Sequence, residues 1–136
     1  MDKCELCLPP VYPIVWENSK FRIIEIDDQS YSAYYRVEHI QHIKEMTDLD
    51  ESERDALMKV VFIVESAIKI FYNPDKINLA SLGNLTPHVH WHVIPRFYDD
   101  DHFPDSIWSQ QKKFKKTEIS DQIRKKINAF ILKNLN

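Results

Sequence analysis

Histidine stands at every second position of one short run, His88-Val89-His90-Trp91-His92. An extended chain turns successive side chains to opposite faces. The run therefore predicts a strand with three imidazoles on one wall and Val89, Trp91 and Val93 on the other. The apolar wall needs a core, so the strand belongs in a sheet covered on at least that side. The imidazole wall is a poor packing surface, because polar rings buried without partners cost free energy. Nucleophile, proton carrier and metal ligand are the roles that suit it.

A chain of 136 residues suits one domain with a real core, and 43% apolar with 29% charged residues is an ordinary balance for such a domain. The formal net charge of −3 gives none of the basic character that nucleic acid polymers attract. No apolar run approaches the roughly 20 residues of a membrane helix. Met1-Asp2-Lys3-Cys4 lacks the charged-then-apolar pattern of a secretion signal, so a cytoplasmic location is expected. Gly83 is the only glycine, placed just before the histidine run where a positive φ is most useful. A Walker loop or a dinucleotide-binding loop needs several glycines, and neither can be built here.

Ile14-Val15-Trp16-Glu17, Phe21 to Ile26 and Tyr34-Tyr35-Arg36-Val37-Glu38 read as three strands separated by turn residues. Asp50 followed by Glu53 marks a helix start. From Glu51 to about Tyr72, Leu57, Val60, Val61, Val64, Ala67, Ile68 and Phe71 recur at helical spacing, and Asn73-Pro74 ends the run. Ile77 to Leu82 and His88 to Ile94 are two further strands, with Pro95 closing the second. Ile119, Ile123, Ile127, Phe130, Ile131 and Leu135 predict a C-terminal amphipathic helix. Asp99 to Asp105 is acidic and turn-like. The Lys112, Lys113, Lys115 and Lys116 run reads either as a solvated face or as a patch that steers an anion.

Cys4 and Cys7 are the only cysteines, spaced C-x-x-C and running into Pro9-Pro10, which is no context for a thioredoxin-like pair. A metal clip and two unrelated reduced thiols both fit. On the histidine strand, a neutral imidazole can attack phosphorus while a neighbour serves the phosphoryl oxygens or the leaving group. Zinc also suits alternate histidines.

At these residues the chain resembles the histidine-triad family. Its signature is His-φ-His-φ-His-φ-φ with φ apolar, and His88 to Ile94 matches without a gap. Pro95-Arg96 is similar to the dinucleoside polyphosphate hydrolase-like branch. The resemblance implies an α+β, mainly antiparallel sheet with one long central helix and a C-terminal helix. It implies one domain over 1–136, with a core of about 4–108 and a helical extension of about 117–135. A homodimer, a purine nucleotide substrate and no membrane partner follow from it as well. His90 would attack the α-phosphorus and carry the nucleotidyl group, with His88 and His92 positioning it and contacting phosphate or leaving group. Catalysis would need no cofactor. Cys4, Cys7, His42 and His88 match a structural zinc set found in part of the family.

Asn84 stands where the family has a phosphate-contacting glutamine, and Asn78 and Ser81 fall near its ribose-side asparagines. The family's Gly-Gln-Ser/Thr-Val run is replaced here by Gly83-Asn84-Leu85-Thr86-Pro87, so Thr86 is the substitute for the hydroxyl missing at Leu85. Ser32-Ala33-Tyr34 replaces Pro-Gly-His, which leaves Tyr34 to take over a backing histidine's hydrogen bond. His39 is offset from that position and reads as a surface residue. Trp108 reads as tail packing or as a substrate contact, and Phe21 and Ile23 as core or as base-binding residues. A nucleotide hydrolase or nucleotidyl transferase leads. The alternatives are a nucleotide-binding module with little turnover and a protein that holds a metal with the triad itself.

Overall fold

Successive side chains of the strands turn to opposite faces, giving a sheet with one core face under a helical apolar stripe and one face of histidines and charged residues, both largely buried. The computed structural model describes residues 4–136, so the reading of Met1-Asp2-Lys3 lies outside the described residues. The elements are β1 (Ile14–Glu17), β2 (Phe21–Ile26), β3 (Tyr34–His39), α1 (Glu51–Phe71), β4 (Lys76–Ala80), β5 (His90–Arg96) and α2 (Asp121–Leu135). Single 3-10 turns occur at Glu5–Cys7 and Met46–Asp48. The strands form one antiparallel sheet of order β1-β2-β3-β5-β4. This is the expected α+β arrangement.

α1 begins where the Asp50 carboxylate accepts from the Glu53 N–H at 2.7 Å, satisfying one orphan donor of the first turn. Its stripe of Leu57, Val60, Val61, Val64, Ala67 and Ile68 is buried. It shares one core with Phe21, Ile23, Tyr35, Val37, Val89 and Val93 from the sheet. α2 adds Ile127 and Ile131 to that core and sets Phe130 edge-on against Phe71 of α1.

Register then places everything else. Glu38 lies opposite His90 and Arg36 opposite His92. Arg22 lies opposite Glu38. These residues share the face turned away from α1, because residues paired directly across a ladder point the same way. Phe21 and Ile23 sit one step out of phase, in the core under α1.

Other boundaries differ from the sequence reading. β5 starts at His90 and runs through Pro95 to Arg96. Its last partner on β3 is Tyr35, opposite Val93, so Pro95 lies beyond the end of β3 and its missing N–H costs no ladder bond there. β4 stops at Ala80, and the connection to β5 is a loop in which Gly83 takes φ +72°, the conformation anticipated for it. His39 is 1% exposed and not on the surface. Its Nδ1 accepts from the Gln41 N–H at 3.0 Å, and its Nε2–H donates to Glu53 at 3.0 Å. No helix among the described residues is long and apolar enough to cross a membrane.

Candidate active site and metal centre

His88 sits at the mouth of β5, before the ladder begins, and is 1% exposed. Its Nε2–H donates to the His39 carbonyl at 2.6 Å, since a carbonyl can only accept. That bond leaves the Nδ1 lone pair free, and it faces two sulfurs: Cys4 Sγ at 3.4 Å and Cys7 Sγ at 3.6 Å. His42 Nδ1 stands 3.4 Å from Cys7 Sγ. One donor atom from each of Cys4, Cys7, His42 and His88 lies within 4.8 Å of the others. A tetrahedral ion with ordinary Zn–S and Zn–N bonds sets its S···N edges at about 3.6 Å. The four residues thus fit a closed two-sulfur, two-nitrogen site and could hold a metal. Burial lowers the His88 pKa, favouring the neutral ring a metal requires. The spaced thiols are not unrelated. The 3-10 turn at Glu5–Cys7 brings them round to the β5 mouth.

His90 carries the second feature of the site. Its Nδ1–H donates to the His88 carbonyl at 2.6 Å, so its Nε2 keeps the lone pair. Burial lowers its pKa and keeps the ring neutral. His92 sits edge-on to His90, ring centroids 5.0 Å apart. Its Nδ1 meets the Tyr34 hydroxyl at 2.5 Å. Burial raises the Tyr34 pKa, and the hydroxyl has no other partner among the described residues, so it donates its proton to Nδ1. His92 then carries its own proton on Nε2. Burial, with help from His90 and Arg36, pushes the His92 pKa down to about 3. The strand therefore presents a bare nitrogen at His90 beside an N–H donor at His92. Trp108 packs edge-on against His92 at 4.9 Å and stays 48% exposed, so it borders the site.

The three triad rings do not form a common ligand set. Among the described residues, the one metal-competent group is the Cys4, Cys7, His42 and His88 cluster. His88 belongs to that cluster, and its backbone carbonyl belongs to His90.

His90 is 7% and His92 8% exposed, and neither ring lines either of two cavities built by other residues. One, of about 730 Å³, lies at the loop end and takes its lining from Cys4, His42, Asn84 and Thr86 among others. The other, of about 400 Å³, lies between residues 5–12 and the polar face, over Arg22, Arg36 and Glu38. Asn84 is exposed and Thr86 half-buried at the first cavity. Leu85, where the family hydroxyl is missing, is 99% exposed. Ser81 is exposed beyond the end of β4. Asn78 is on the triad face, but its Oδ1 accepts from Arg96 Nη1 at 2.7 Å.

Two polar groupings on this face went unread in the sequence. Glu38, fully buried, accepts from Arg22 Nε at 2.7 Å and from Arg36 Nε at 2.6 Å. The alternation of Arg36 and Glu38 with core residues in β3 was the available signal. Arg96 pairs with Asp100 at 2.8 Å, and the Tyr31 hydroxyl joins Asp100 to His102. Burial opposes the Asp100 charge, but Arg96 and the N–H groups of Phe97, His102 and Phe103 outweigh it and hold the carboxyl below its usual range. The lysine run is a solvated face: Lys112 pairs with Asp105 and Lys115 with Asp99.

No curated protein matches the sequence. Solved structures do. A histidine triad protein from Bradyrhizobium japonicum shares 23% identity over 92% of this chain and 91% of its own, with TM-score 0.71. A histidine triad protein from Marinobacter aquaeolei shares 19% over 92% and 91%, TM-score 0.72. A hypothetical histidine triad nucleotide-binding protein from Sulfolobus tokodaii shares 26% over 88% and 83%, TM-score 0.59. The family model described as HIT domain matches residues 13–99, from the residue before β1 to beyond β5. With that match across most of the chain and the triad on the polar face of β5, the protein belongs to the histidine-triad family.

Proposed function

We propose that the protein is a nucleotide hydrolase or nucleotidyl transferase that cleaves at the α-phosphorus of a purine nucleotide derivative, such as a dinucleoside polyphosphate or a nucleoside phosphoramidate. One observation carries the reading: His90 Nδ1–H is tied to the His88 carbonyl, leaving a neutral Nε2 lone pair beside the Nε2–H of His92. His90 Nε2 attacks phosphorus, and the bond to the leaving group breaks. The leaving atom accepts a hydrogen bond from His92 Nε2–H and departs as an anion, or takes its proton from solvent. The nucleotidyl-imidazole carries positive charge, which the His88 carbonyl stabilises through Nδ1–H. Water then attacks, its proton passes to solvent, and the P–N bond breaks to regenerate neutral His90. The net change is cleavage by one water.

The similarity to the hypothetical histidine triad nucleotide-binding protein of Sulfolobus tokodaii supports the ligand class. Pro95-Arg96 after the signature supports the polyphosphate hydrolase-like branch. We assign Cys4, Cys7, His42 and His88 to a structural zinc, because a closed four-ligand set leaves no open position for substrate. The remaining assignments are a homodimer in the cytoplasm and no nucleic acid polymer as partner.

A panel of adenine and guanine dinucleotides and phosphoramidates, with kcat/KM for each, tests the activity. A radiolabelled adenylate donor should label the wild type and not His90→Asn, whose turnover should fall at least about 10³-fold. Undiminished turnover in His90→Asn would sink the mechanism. The near-burial of both rings favours a second reading, a binding module, which predicts nucleotide affinity without label or turnover.

A further inference from the structure

A phosphoryl group at His90 needs donors aimed at its oxygens. The loop that supplies them in the family pattern supplies little here, with Leu85 and Asn84 turned to solvent. Three arginines lie on the triad face: Arg22, Arg36 and Arg96. Arg96 is spent, because Nε and Nη2 bond Asp100, Nη1 bonds Asn78 and Nη2 also bonds the Asp105 carbonyl. Arg22 gives Nε to Glu38 and Nη2 to the Leu6 carbonyl, and its side chain is 10% exposed. Arg36 gives only Nε to Glu38, and among the described residues nothing accepts from its two Nη groups. Those groups leave four N–H donors in a planar fork. Arg36 is thus fixed at its base and free at its tip. It lies opposite His92, diagonal to His90, and lines the cavity of about 400 Å³. The cavity's other wall is Leu6, Leu8, Pro9, Pro10, Val11 and Tyr12, with Glu5 beside them.

We propose that Arg36 is a catalytic residue whose Nη groups grip the non-bridging oxygens of the phosphoryl group that His90 attacks, with Glu38 and Arg22 as its buried anchor. The inference rests on the proposed reaction for its kinetic meaning but not for its binding test. A bidentate guanidinium suits a phosphate geometrically as well as electrostatically. The nucleoside attached to that phosphate would extend over Arg36 into the cavity.

The test is titration calorimetry on the full-length, metal-replete protein with adenosine and guanosine monophosphates, and with the two nucleosides as controls. Arg36→Met should weaken the bound monophosphate about 10- to 100-fold and leave nucleoside affinity within about twofold. Arg36→Lys keeps the charge and a partner for Glu38 but loses the fork, so it should lose about tenfold. It carries the test alone if Arg36→Met fails to fold. Equal monophosphate affinity in wild type and Arg36→Lys, an equal drop for nucleoside and monophosphate, or a wild type that binds neither monophosphate overturns the assignment. Arg36-dependent binding without turnover of any substrate would overturn the hydrolase reading and leave Arg36 in place. Turnover with kcat/KM unchanged in Arg36→Lys would do the reverse.

Discussion

Each imidazole of the triad has one nitrogen committed to a neighbour and the other left for chemistry, and the committed partner decides the tautomer. For His92 that partner is Tyr34, which stands where the family pattern has a histidine. Tyr34→Phe removes the bond without opening a cavity. Its expected effect is a fall in kcat of about tenfold, the scale of one hydrogen bond to a buried ring, with KM little changed. Steady-state kinetics on the best substrate of the panel checks it. Acid sensitivity follows from the same ring. His92 is held near 3 in the fold and titrates near 6.5 when unfolded. Below about pH 6.5 the unfolded chain takes up a proton that the native chain refuses. The stabilising contribution of the neutral ring is therefore complete above that pH and lost as pH falls toward 3, by up to about 1.4 kcal/mol per unit. Urea midpoints at pH 7 and pH 5 measure it, and His92→Gln should flatten the slope. Asp100, whose folded pKa is depressed, adds a separate loss confined below about pH 4.

At the scale of elements, the period-two and helical patterns were enough to locate the strands and α1 along the chain, because each pattern is local. What could not be read locally is which residues a distant segment covers. His39 looked like a surface residue until α1 brought Glu53 against it. Phe21 and Ile23 were ambiguous until the register put them under α1 and Arg22 on the other face. Asp100 and Asp101 read only as acidic turn residues, yet both are buried, one by Arg96 and the other by the returning 111–115 segment. Of the metal set, only the Cys4-x-x-Cys7 spacing was legible in the residues, and His42 and His88 joined it through the family resemblance, since the four converge only when the N-terminal turn meets the β5 mouth. That convergence makes a prediction for the element. Protein purified without added metal should carry about one zinc per chain by mass spectrometry, lost in Cys4→Ser and retained in His90→Asn. Chelation should lower the Tm, because an ion held there would tie residues 4–7 to β5. Zinc retained in Cys4→Ser would remove the clip from the account.

For the molecule as a whole, two features are left over after one chain has folded. β4 is an edge of the sheet, with β5 on one side and no strand on the other among the described residues, and such an edge is a template for another chain. α1 keeps Phe62 at 50% and Ile70 at 57% exposed, and Met58, Phe62 and Ile63 line a shallow apolar hollow of about 360 Å³. A helix buried only against its own sheet would carry polar residues at those positions. A second copy covering them is the arrangement the proposed homodimer requires. Sedimentation equilibrium should give twice the chain mass of 16.2 kDa for the wild type. Phe62→Glu should shift it toward the monomer, because a charge buried at an apolar interface without a partner is costly. If the dimer also orders the polar face, the same variant should lower kcat/KM while leaving the zinc content at one per chain. A wild type that sediments as a monomer would show that the apolar hollow on α1 serves some purpose within a single chain.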